Sequence, residues 1–142
     1  MPIQHHIDHK RRLIIARAIG EVSARDLFDY QRTVWSCPDV AGFDEIVDMT
    51  AAEKIDAPNA TTMRELANLS ATMEVSVPVG KTAVVAPQQL VFGLGRMYEA
   101  YRGLQDGSSK VIRVFRTISE AIAFLGIDGS VLPAQTKEEG AT

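Results

Sequence analysis

Lys81-Thr82-Ala83-Val84-Val85-Ala86 runs directly into Pro87, and the reading of this junction decides the fold. A near-continuous apolar run about one strand long suits a strand covered on both faces of a sheet. Proline suits the first turn of a helix, and Leu90, Leu94, Met97, Tyr98 and Tyr101 then recur at helical spacing. The spacing predicts a helix from Pro87 to about Gln105. A doubly covered strand that feeds a helix is the repeating unit of parallel sheets.

The same alternation continues on both sides of this junction. Downstream, Asp106-Gly107-Ser108-Ser109 reads as a turn and Val111-Ile112-Arg113-Val114-Phe115 as the last strand. Thr117 and Glu120 form a capping box for a final helix with Ile118, Ala121, Ile122 and Leu125 inward, and Gly126 is its stop. Residues 127–142 turn to Gly, Pro, Lys, Glu and Thr, which predicts a mobile tail. Upstream, residues 60–77 predict a helix with Met63, Leu66, Ala67 and Ser70 on one face, and Pro58 suits its start. Residues 50–59 read as a loop, and Asp44-Glu45-Ile46-Val47-Asp48-Met49 as a short strand. Ser23 caps a helix with Asp26 in its first turn, and Leu27, Phe28, Gln31, Val34 and Trp35 form its core stripe up to Cys37-Pro38. Two opening strands, residues 3–9 and 13–19, are joined so tightly that they predict a hairpin, with Gly20 closing the second. The order β-β-α-β-α-β-α-β-α predicts an α/β domain over residues 1–126, with a mixed five-stranded sheet and helices packed on it.

Composition narrows the classes of function. A chain of 142 residues with 46% hydrophobic content can bury a full core without staples. A single cysteine, Cys37, allows no internal disulfide and favours a reducing, cytoplasmic setting. A net charge of −3 and a pI near 5.6 offer no basic surface for nucleic acid. The opening residues lack a secretory pattern, and no apolar run reaches the ~20 residues that would insert in a membrane.

Few residues carry chemistry. His5 and His6 are adjacent, so a strand points them to opposite faces, while His9 lies too far along to join His5. They read as edge-strand histidines and not as metal ligands. Cys37 stands at a helix C-terminal end, where the dipole disfavours a thiolate, and reads as a buried spectator. Gly93 and Gly95 fall inside a helical pattern, unlike the glycines of a phosphate loop. They read as places of close approach, to the sheet or to another subunit. Glu53 and Asp56 accompany Asp48 around the expected loop, and Asp48 with Thr50 marks a strand C-terminal end, where α/β sheets place ligands.

Ile46-Val47-Asp48-Met49-Thr50, followed by Ile55-Asp56-Ala57 leading into a helix, resembles the STAS domain of anti-sigma-factor antagonists. Val114-Phe115-Arg116-Thr117-Ile118-Ser119-Glu120-Ala121 is similar to that family's last strand and helix start. The likeness covers about residues 3–126. The resemblance implies a regulatory module that binds a protein partner and is switched by phosphorylation of a serine, whose position Ala57 holds here. Gly93-Leu94-Gly95-Arg96-Met97-Tyr98-Glu99 also resembles a helix found in uncharacterised bacterial STAS-like proteins.

The expectation is a non-enzymatic cytoplasmic signalling module without a cofactor, docking a protein partner or a second copy of itself as a homodimer. Gly93, Gly95, Arg96 and Tyr98, with Asp48, Thr50 and Asp56, are its candidate contact residues. The alternative is a small-ligand or lipid sensor using a pocket near Asp48, Thr50 and Arg96, at the strand C-terminal ends.

Overall fold

The apolar run at residues 81–86 lies inside the sheet. The computed structural model describes residues 2–56, 59–73, 80–104 and 110–132. Its strands are β1 (Ile3–Asp8), β2 (Leu13–Ser23), β3 (Asp44–Asp56), β4 (Lys81–Val85) and β5 (Val111–Phe115), adjacent in chain order. β1 pairs antiparallel with β2, setting Ile3 opposite Ala18 and Asp8 opposite Leu13, and the remaining pairings are parallel. Helices α1 (Ala24–Trp35), α2 (Ala60–Thr72) and α3 (Gln89–Gly103) fall between the parallel strands, and α4 (Ile118–Leu125) follows β5. This is the mixed five-stranded α/β sheet expected from the alternation of periods.

Strand alternation divides the core. Ala16, Ala18, Met49, Met63, Val91 and Leu94 form one cluster with side chains of α1, α2 and α3. Leu13, Ile15, Ile46, Ala83 and Val85 point the other way, under Ala121 and Leu125 of α4. A third cluster joins Ile14 and Val34 to Val40 and Phe43, where the 3-10 turn Pro38–Val40 follows α1. Both faces of β2, β3 and β4 are therefore covered, which is why the sequence at 81–86 is apolar at nearly every position.

Helix ends follow local chemistry. Ser23 Oγ accepts from Asp26 N at 3.1 Å while Asp26 Oδ2 accepts from Ser23 N at 2.8 Å. Thr117 and Glu120 make the same reciprocal pair at α4, and Gly126 ends that helix at φ +69°, a left-handed conformation that suits glycine.

Four expectations are corrected. β2 does not stop at Gly20, which sits at φ +71° between two register shifts, and the strand runs on to Ser23. β3 is 13 residues long: residues 51–56, expected in a loop, pair with residues 19–23 of β2. The extra residues at its bulges break the two-residue period that a strand needs to be recognised. On α3 the buried face is Val91, Leu94 and Arg102, while Leu90 is 59% and Met97 39% exposed, so the inward stripe is rotated from the one expected. Residues 127–132 are not all free of the core, since Ile127 and Leu132 pack on the α4 side around the 3-10 turn Gly129–Val131. The rest of the expected tail, the turn at 106–109, Gln105, residues 74–77 and the positions of Ala57 and Pro58 lie outside the described residues. Asn59 caps α2, its Oδ1 accepting from Thr62 N at 2.8 Å. No helix among the described residues is long and apolar enough to cross a membrane.

Candidate functional site

The residues singled out on β3 do not converge. Asp48 is buried inside the sheet, opposite Arg17 on one side and Val85 on the other. Its Oδ1 accepts from Thr50 N at 2.9 Å, so this carboxylate braces its own strand. Thr50 and Asp56 are exposed, and Asp56 pairs with Ser23 at the far end of β3, about 26 Å beyond Asp48 on an extended chain. Gln88, the N-cap residue of α3, donates from Nε2 to the carbonyls of Thr50 (2.8 Å) and Ala52 (3.1 Å). That amide satisfies the part of β3 that extends beyond β4. Asp56 therefore stands apart from Asp48 and Thr50.

The residues singled out on α3 separate into two faces. Gly95 turns inward: a Cβ there would meet both methyls of Val114 at 3.0 Å, so glycine lets the helix lie close on β5. Tyr98 also turns inward and packs against the core cluster, and is not the exposed anchor expected. Gly93 faces open space, with nothing within 4 Å of a Cβ built on it. Arg96 is exposed and lies 3.8 Å from Glu99, whose Oε1 also accepts from Val114 N at 3.2 Å. Beside Gly93 run Leu90, Met97, Ala100 and Leu104, all exposed, with Leu104 at 77%. Positions 90, 93, 97, 100 and 104 repeat with the three-then-four spacing of an apolar helix seam. The inward and outward stripes are interleaved along one helix, so the sequence alone merges them.

A cavity of about 100 Å³ lies between the sheet and α1, α2 and α3. Leu27, Val47, Met49, Met63, Leu66 and Leu94 make much of its wall. One end is polar. There the Glu45 carboxyl, 5% exposed, accepts from Tyr30 Oη (2.5 Å) and Trp35 Nε1 (3.1 Å) through Oε2, and from Thr82 Oγ1 (3.0 Å) through Oε1. Tyr98 lines the same cavity, its hydroxyl in reach of Ser70 and Arg102. Burial first, and Glu45 second, push the Tyr30 phenol well above its ordinary value of 10.0; burial also raises Tyr98, opposed by Ser70 and Arg102. Sequence reading passed over this cluster. Its one signal was Glu45 directly before the apolar pair Ile46-Val47, and its partners come from positions 30, 35 and 82. This polar end meets the starts of β3 and β4, opposite to the strand ends where a ligand was expected.

His5 stands edge-on to Tyr30 with ring centres 6.2 Å apart, and His9 edge-on to Phe43 at 6.0 Å. Among the described residues no group of three or more His, Cys, Asp or Glu side chains is placed to hold a metal ion. Cys37 is half-buried against the Ile14–Val34–Val40–Phe43 cluster, not fully enclosed as expected.

No family model matches the chain, and no curated protein matches it. Solved structures do. An uncharacterized protein of the DUF3478 family with a SpoIIAA-like fold, from Shewanella loihica PV-4, superposes with a TM-score of 0.52 at 15% identity, over 87% of this chain and 93% of that one. The anti-sigma factor antagonist SpoIIAA in its unphosphorylated form superposes with a TM-score of 0.52 at 12% identity, over 87% and 97%. The fold is therefore STAS-like, as the resemblance implied. At these identities the likeness speaks for the fold alone.

Proposed function

We propose that the chain is a cytoplasmic, non-enzymatic docking module that pairs with a second copy of itself through the outward face of α3. One observation carries this reading: the exposed stripe Leu90, Gly93, Met97, Ala100 and Leu104. Contiguous exposed apolar residues on a helix favour a partner over water. The stripe is nearly palindromic about Met97, since large residues stand seven positions to either side and small ones four before and three after. A two-fold pair of antiparallel α3 helices sets Leu90 against Leu104 and Gly93 against Ala100, large beside large and small beside small, as a self-complementary interface requires. Gly93 then supplies the space for close helix approach.

SpoIIAA is an anti-sigma factor antagonist, which supports a regulatory role for such pairing. Ala57, at the position the resemblance assigns to the phosphoacceptor, carries no hydroxyl, so pairing here is governed by concentration and not by phosphorylation at that residue. Light scattering behind size-exclusion chromatography tests the reading. The expected result is a dimer at tens of micromolar that becomes a monomer in Met97→Glu, which sets two carboxylates face to face at the two-fold axis. A wild-type chain that stays monomeric at that concentration overturns it.

A further inference from the structure

We propose that the half-open pocket between the sheet and α1, α2 and α3 binds a small, neutral, mostly apolar molecule bearing one hydroxyl, of the phenol or short cyclic alcohol class. This inference does not depend on the pairing of α3. Protein interiors are packed nearly as densely as organic crystals, with few voids larger than a water molecule. A half-open pocket of about 100 Å³ is well beyond a water-sized packing gap. On the same kind of measure, an engineered apolar cavity of ~150 Å³ takes up benzene. The space here suits a molecule of about six or seven non-hydrogen atoms once Met49 and Met63, flexible side chains on its wall, adjust.

The polar end sets the chemistry of the ligand. Among the described residues, Glu45 Oε2 accepts two hydrogen bonds and Oε1 accepts one, from Thr82, which leaves Oε1 capacity for one further donor. The hydroxyls of Thr82 and Tyr30 each retain acceptor capacity. A group that both donates and accepts, a hydroxyl, matches this set. A carboxylate does not, because it would face the Glu45 carboxyl with no donor left unoccupied on Tyr30, Trp35 or Thr82. An ammonium would find at Glu45 one free lone-pair site for its three donors, and burying a charge so sparsely bonded is costly. Gln31 and Tyr98 are the other polar side chains on the wall and the remainder is apolar, so the ligand is mostly apolar with its hydroxyl at the Glu45 end.

Titration of the full chain with phenol, benzene and hexanoate, read by methyl and amide chemical shifts, tests the proposal. Phenol is expected to bind saturably, with the largest shifts at Leu27, Met49 and Met63. One net hydrogen bond of about 1.4 kcal/mol makes phenol roughly tenfold tighter than benzene. Hexanoate should not compete. Val84→Phe fills the cavity from β4 and should abolish phenol binding, and Leu66→Trp, filling it from α2, provides the same readout where Val84→Phe fails to fold. Shifts that never saturate, equal affinity for phenol and benzene, tighter binding of hexanoate, or phenol binding that survives in a folded cavity-filled variant would each overturn the assignment.

Discussion

Gly93 and Gly95 lie two positions apart on one helix and meet opposite surroundings. A methyl at Gly95 presses on both Val114 methyls, and overpacking of this kind costs roughly 1–3 kcal/mol. Alanine returns about 1 kcal/mol of helix propensity. Gly95→Ala should therefore lower stability by about 1 kcal/mol in urea unfolding, while Gly93→Ala, with open space around it, should raise it by up to about 1 kcal/mol. Equal effects of the two would contradict the placement of α3 on β5. Glu45 has a larger stake, because its carboxyl serves Tyr30, Trp35 and Thr82 at once. Removing it leaves buried donors unsatisfied at about 1–3 kcal/mol each, so Glu45→Ala should lose about 3 kcal/mol or more, and Glu45→Gln distinctly less. Urea unfolding followed by Trp35 fluorescence reports both, since the indole donates to the same carboxyl.

At the scale of elements, α3 is held at three levels. Its start is tied to the bulged part of β3 by the Gln88 amide, its middle lies on β5 through Gly95, and Glu99 accepts from the Val114 backbone. Gln88→Ala frees two carbonyls of β3 and should cost about 1–2 kcal/mol. It should also speed amide exchange in residues 51–56 more than in β4. Uniform exchange across both strands would show that the extended β2–β3 ribbon stands without this brace. The capping boxes belong to the same scale. Ser23→Ala and Thr117→Ala should each cost about 1 kcal/mol in thermal or chemical unfolding, because each strips one end of a reciprocal pair.

For the molecule as a whole, two buried phenols link stability to alkali. The folded state raises the pKa of Tyr30 and Tyr98 above the unfolded value near 10.0, so both favour the protonated form. Their contribution is complete below pH 10 and is lost as pH rises past it, where the unfolded chain releases protons that the folded chain keeps. Circular dichroism across pH 9–12 should show the loss beginning near 10, and a smaller loss from the same onset in Tyr30→Phe relative to its own neutral-pH stability; a flat profile would contradict the burial of these groups. Much of this molecule was already legible in its amino acids. The order of elements, the hairpin, the doubly covered strand at 81–85, the caps at Ser23 and Thr117 and the stop at Gly126 all depend on neighbours within one or two turns, and such short-range preferences are written directly into the chain. The full length of β3, the rotation of α3 and the polar end of the cavity were not legible in that way. β3 is extended past Met49 by bonds to β2, some thirty positions earlier, and its bulges erase the period. The face that α3 buries is chosen by the fit of Gly95 to Val114, and Glu45 acquires its partners from β4 and α1. Those features arise only when distant segments are brought into contact, and tertiary packing decided them.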